Sequence, residues 1–171
     1  SRSGLFRKRG RFLMEDYIEA KMEAEGYTVF HPQDHDLETQ LSWYKGASAI
    51  VSTDNSALHL AAFVINPHCK IGILLRRPGA IFADFEMQLK WFAGVQPDVI
   101  DACTRFWFRA DEKVQYNEVY ALIDFEKTAQ ALKAAGIIEN ANWVNPSIVD
   151  VDRAIEKLEA DTETRFDEIF L

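Results

Sequence analysis

The sequence predicts an α/β fold, a three-layer sandwich built on a mostly parallel sheet. Three observations carry this. Short apolar or β-branched runs, such as Ala49-Ile50-Val51 and Lys70 to Leu75, alternate with helical patterns of roughly 8–12 residues. The segment Ala57 to Ile65 is almost wholly apolar, as a helix covered on all sides would be. Hydrophobic residues make up 48% of the 171 positions, enough for a substantial core.

The elements follow in order. Met14, Tyr17, Ile18 and Met22 share one helical face, and Gly26 stops that helix. Tyr27 to Phe30 is aromatic and β-branched, so it reads as a strand closed by His31-Pro32. Asp36 is a good N-cap for a second helix with the stripe Leu37, Leu41 and Tyr44, ended by Gly46. The strand Ala49–Val51 breaks at Ser52-Thr53-Asp54-Asn55, and the apolar Ala57–Ile65 helix follows at once. Lys70 to Leu75 is a buried-strand pattern closed by Arg76-Arg77-Pro78-Gly79. Ile81 to Phe92 reads as helical, Thr104–Phe108 as a strand, and Ala121–Ile123 as a short strand or helix start. Phe125, Ala129, Leu132 and Ala135 form a helical stripe ended by Gly136. Ile148, Val151, Ile155, Leu158, Thr162, Phe166 and Ile169 recur at three- and four-residue steps, which predicts one long amphipathic helix with an acidic outer face.

Composition excludes several classes. A net charge of −8 disfavours binding to nucleic acid. Cys69 and Cys103 make no disulfide framework and read as buried free thiols. No run approaches the roughly 20 apolar residues of a membrane span, and the basic opening is not followed by a signal-peptide core. G-x-G-x-x-G, P-loop and G-x-S-x-G motifs are all missing, so a classical dinucleotide enzyme, kinase or α/β hydrolase is unsupported. The opening Ser1-Arg2-Ser3-Gly4 reads as the continuation of a longer chain.

Several residues could carry chemistry. The opening concentrates Arg2, Arg7, Lys8, Arg9 and Arg11 without an acid. Guanidinium forks suit phosphate, so this is either a diphosphate clamp or solvated surface. Arg76 and Arg77 end a buried strand, where α/β sheets bind ligands; the alternative is a surface turn. Asp54, Asn55 and Ser56 open the apolar helix. They either cap it or leave its first amides open to an anion or a sugar hydroxyl, and Asp54 could also act as a general base. His31 and His35 lie in a loop with no further ligand at metal-binding spacing, so no metal is expected. His59 is either a packed histidine or a contact to the nearby turn.

The ordered series Arg2, basic stretch to Arg11, Glu15, Tyr27–Phe30, Gln40, Ala49–Val51 and Asn55-Ser56-Ala57-Leu58 resembles glycosyltransferase family 61, over about residues 1 to 65. That family includes capsular-polysaccharide-type transferases and O-linked GlcNAc and xylosyl transferases. The resemblance implies the C-terminal, nucleotide-sugar-binding half of a GT-B enzyme made of Rossmann-like domains. Residues 1–147 would form the donor domain, its first strand cut short, and 148–171 a helix packed on it or on an N-terminal domain. It further implies inverting transfer from a nucleotide sugar, a UDP-sugar by preference, to a polysaccharide or glycoprotein acceptor, with no required metal or other cofactor. The setting would be cytoplasmic, or the Golgi or ER lumen in a eukaryote.

By position, Arg2 and Arg9 or Arg11 match the arginines expected at the diphosphate, and Glu15 and Gln40 match the family's Glu and Gln. Ser56, Ala57 and Leu58 match as well. Met14 stands where Asn is usual, Thr39 replaces Glu, and Asp54-Asn55 replace His-Gly. Loss of that glycine adds bulk where a ligand would approach the backbone. A catalytically inactive Rossmann-like ligand-binding or protein-interaction module is therefore the alternative.

Overall fold

The structure, a computed structural model, describes residues 1–2, 10–77, 82–111 and 118–169. Helix α1 spans Glu15–Ala24 and α2 spans Leu37–Gly46. Strand β1 (Ala49–Thr53), helix α3 (Ala57–Ala61) and strand β2 (Lys70–Leu74) come next. Helix α4 (Ala83–Gln88) runs into a π-helical turn, Leu89–Ala93. Strands β3 (Asp98–Ile100), β4 (Cys103–Arg109) and β5 (Tyr120–Ile123) precede α5 (Phe125–Ala134). Helix α6 (Ile148–Thr162) and strand β6 (Phe166–Ile169) close the described chain.

The boundaries follow local chemistry. The Asp36 carboxylate accepts the Thr39 N–H at 2.8 Å and the Asp124 carboxylate the Lys127 N–H at 2.9 Å, each satisfying an orphan donor. Ser147 and Asp150 form a reciprocal capping box at the start of α6. Gly26 and Gly136 take positive φ just past α1 and α5, where a side chain would be strained.

The strands form two sheets. One is parallel, in the order β1-β2-β3, with Ile50 opposite Ile71 and Val51 opposite Gly72. The other is antiparallel, in the order β5-β4-β6. Both faces of β2 are buried: Ile71 and Ile73 join a core with Leu58, Phe85 and Leu89, whereas Leu74 joins a larger core with Ile18, Ile100, Phe125 and Leu132. The fold is thus mixed α/β. It departs from the expected three-layer Rossmann-like arrangement because the antiparallel strands form a sheet of their own.

Other expectations also need correction. The apolar Ala57–Ile65 segment is helical only to Ala61, after which reverse turns carry it to Ile65. The helix foreseen from Ile81 starts among the described residues at Ala83; Ile81 itself lies outside them. The long C-terminal helix ends at Thr162. Glu163 adopts a left-handed conformation (φ 51°), and Phe166–Ile169 then pairs with β4. Val151 and Leu158 of α6 are buried in the larger core, which also holds residues of β4 and β5. Tyr27–Phe30 lies outside every strand ladder of the described residues.

Candidate functional site

The candidate site gathers at the carboxyl ends of β1 and β2, where parallel sheets expose ligand-facing loops. The turn after β1 is held by Asn55. Its side-chain amide donates to Ser52 Oγ at 2.9 Å, to Thr53 Oγ1 at 2.9 Å and to the Thr53 carbonyl at 3.0 Å. Its Oδ1 accepts the Ala57 N–H at 2.9 Å. The next amides are also engaged: Leu58 N–H donates to the Asn55 carbonyl and His59 N–H to the Ser56 carbonyl. The start of α3 is therefore closed by its own turn, and the open amides foreseen there are taken. Ser56 makes no capping bond with its side chain.

Asp54 is buried beside this turn and faces β2. Its Oδ1 accepts the Arg76 backbone N–H at 3.3 Å, and its Oδ2 pairs with Arg77 Nε. Arg76 is only 2% exposed. Its Nη1 donates to the Val119 carbonyl at 2.9 Å, while Nε has no hydrogen-bond partner among the described residues. Burial, then the neighbouring Arg2 charge, push its guanidinium down to about 10, against the opposing pull of Asp54. A buried cation with an unsatisfied donor and two further arginines nearby favours an anion.

The opening segment reaches the same place. Arg2 donates from its backbone N–H to Glu15 Oε1 at 2.8 Å and from Nε to the Gly10 carbonyl at 2.8 Å. Glu15 is buried at the first turn of α1, and its Oε2 has no partner among the described residues. Burial raises its carboxyl above the usual range, partly offset by the Arg2 N–H and the Ser1 hydroxyl. Met14, directly before it, is left-handed (φ 58°, ψ 38°), a conformation in which Asn is several-fold enriched. That is the residue type usual there in the resembling family. Arg11 places its guanidinium 5.9 Å from the Tyr120 ring centroid. Arg7, Lys8 and Arg9 lie outside the described residues.

Arg2, Glu15, Asn55 and Ser56 line one cavity of about 1490 Å³, which extends between α1, residues 26–30 and β1. Arg76 and Arg77 do not line this cavity; they contact Asp54, whose chain neighbours Thr53 and Asn55 do, and Arg76 feels the charge of Arg2.

Other candidates fall elsewhere. His59 Nδ1 meets Gln88 Oε1 at 2.5 Å and its ring leans on Phe85, the geometry of a packed histidine. His35 stacks on Phe30, and Gln40 ties the Pro32 and His35 carbonyls together. Cys69 is buried; the Cys103 thiol donates to the Leu75 carbonyl at 3.0 Å and is pushed up to about 12, chiefly by burial. Gly10 and Val119 are parts of the site that sequence reasoning overlooked. A glycine in a basic run was the only signal, and Val119 contributes a backbone carbonyl, which residue type does not advertise.

No group of three or more His, Cys, Asp or Glu side chains able to hold a metal occurs among the described residues. No described helix is long and apolar enough to cross a membrane. Residues 1–72 match the family model Glycosyltransferase 61, which supports membership of that family. Neither a curated protein nor a solved structure matches the chain.

Proposed function

We propose, with the glycosyltransferase 61 match over residues 1–72 as premise, that the arginine-rich cluster holds the diphosphate of a nucleotide-sugar donor. The observation that carries this reading is Arg76: a buried guanidinium with an unpartnered Nε, set between Arg2, Arg77, Asp54 and Glu15. The diphosphate of a nucleotide sugar brings concentrated negative charge and several acceptor oxygens matched to guanidinium forks. Arg2, Arg11, Arg76 and Arg77 would supply charge, with Arg9 added from the same basic run. The free edge of the Glu15 carboxylate and the Ser56 hydroxyl suit ribose or sugar hydroxyls. Asn55 shapes the floor by fixing the turn. On this reading positive side chains stabilise the departing nucleoside diphosphate, the charge that develops in glycosyl transfer, in the manner of electrostatic catalysis. The sugar would invert at its anomeric carbon on transfer to a glycan or glycoprotein acceptor, and no metal would be required.

One observation favours a second reading. Asp54 is already paired with Arg77 and bonded to the Arg76 backbone. A cluster neutralised this way also suits a non-catalytic module that binds ligand or protein.

A UDP titration followed by thermal unfolding separates the two. A ligand at 100 times its Kd adds about 2.7 kcal/mol, or several degrees in Tm for a chain of this size. The donor reading expects that shift, unchanged by chelator and diminished by Arg2→Ala, Arg11→Ala and Arg76→Ala. Absence of a shift with every nucleoside diphosphate supports the silent module.

A further inference from the structure

The cavity beside β1 has the form of a vacant strand position. One wall is the outer edge of β1. The Lys70 N–H donates to the Ser48 carbonyl, so Ser48, Ile50 and Ser52 direct their backbone groups at β2. By the alternation of a strand, Ala49, Val51 and Thr53 direct theirs away from β2, toward the cavity side. The opposite wall is Tyr27–Phe30, aromatic and β-branched, yet outside every ladder of the described residues.

The two walls are already sorted like neighbours in one sheet. Tyr27 packs on the larger core with Val51, and Phe30 packs on the smaller core with Ile50. They also run the same way. Tyr27 Oη donates to the Ile137 carbonyl while Lys70 Nζ donates to the adjacent Gly136 carbonyl, so Tyr27 lies by the amino end of β2. Phe30 lies by Ser1, and Ser1-Arg2 lies by the carboxyl end of β2, next to Arg76. Two parallel, co-facing strands that do not pair leave room for another between them.

We propose that this cavity is the seat of one further parallel strand, an extended apolar segment of about five residues, the length of β1, that runs into Ser1. The Ser1 nitrogen already donates to the Phe30 carbonyl at 2.8 Å, the bond with which such a strand would finish. The cavity is lined by Ile18 and Met22 on the side of one core and by Leu58 and Ala61 on the side of the other. Its occupant is therefore apolar on both faces, as central parallel strands are. The joined sheet would have five parallel strands, with the new one second, between Tyr27–Phe30 and β1. Its carboxyl end would deliver Arg2 to the arginine cluster, a consequence that rests on the donor-site reading, whereas the strand itself does not.

The test is to fuse six residues ahead of Ser1, either Val-Ile-Val-Ile-Val-Thr or a Gly/Ser control, and to follow amide exchange by NMR. The apolar extension is expected to slow exchange of the Val51 amide at least tenfold and to raise Tm by several degrees, while the Gly/Ser extension does neither. Ile50 and Ser52, whose amides face β2, serve as internal references and stay protected in both. Adding Thr28→Pro to the apolar fusion should return Tm toward the control, because the Thr28 amide lies on the same side as the Phe30 carbonyl that Ser1 meets, so it faces the new strand, and Pro cannot donate to the ladder. Equal Val51 exchange in the two fusions overturns the proposal. UDP is not needed for this readout, so its failure is distinguishable from failure of the donor site.

Discussion

Arg76 reaches across the cluster to the Val119 carbonyl oxygen, which it meets at 2.9 Å from Nη1. The same oxygen stands 2.2 Å from where a Cβ on Gly10 would lie. Two backbone segments cross there, and the candidate anion site is pinned to the crossing from one side by Arg76 and from the other by Arg2, through the Gly10 carbonyl.

Gly10→Ala should therefore destabilise the chain by about 3 kcal/mol or more, because backbone rather than a yielding side chain blocks the new methyl. Gly72→Ala is the contrasting case. Its Cβ would sit 3.1 Å from Ile137 Cδ1 and 3.2 Å from Leu132 Cδ2, ends of side chains that can shift. A loss of about 1 kcal/mol is expected. Urea unfolding of both variants checks the ranking, and equal losses would refute it.

Met14 sets two effects against each other. Its left-handed backbone costs roughly 1–2 kcal/mol for an ordinary side chain, yet its side chain packs on the larger core. Met14→Ala gives up the packing and keeps the strain; Met14→Asn gives up the packing and relieves it. The Asn variant should be the more stable of the two by about 1 kcal/mol, measured by the same unfolding experiment.

Glu15 makes stability depend on pH in a defined sense. Burial raises its carboxyl above the ordinary value of 4.5, so the folded state keeps the proton longer than the unfolded chain does. Its contribution is fully present below that ordinary value and is lost as pH rises through the folded one. Glu15→Gln should abolish this term: near neutrality it should be more stable than the parent by about 1 kcal/mol, with the gap closing toward pH 4. Unfolding free energies of parent and variant across that range test the sign.

Much of this was legible in the sequence where a local signal and the tertiary outcome agree. Asp36 and Asp124 cap because their carboxylates answer amides three residues on, and Gly26 and Gly136 stop helices by taking positive φ. The buried strand ahead of Arg76 and Arg77 is legible because Lys70–Leu74 is apolar on both faces. What failed did so for physical reasons. The apolar spacing from Ile148 to Ile169 continues through Glu163, whose left-handed turn no glycine announces. Phe166 and Ile169 are claimed by β4, a partner far away in sequence. By residue type Asn55 suits either a cap or an anion contact; its side-chain hydrogen bonds run to Ser52, Thr53 and the Ala57 amide, partners that residue type alone does not name. The contacts of Arg2 with Gly10 and Glu15 join positions 8 and 13 residues apart, which spacing alone does not encode.

If the arginine cluster holds an anion, the Asp54 bridge to Arg77 would also act as a selectivity threshold. Any visitor must outbid a resident carboxylate, so chloride and other singly charged solutes gain little by entering. Species with several charged oxygens on one body return more than they displace. Discrimination by valence would thus be built into the loop after β1, ahead of any recognition of the sugar or the base.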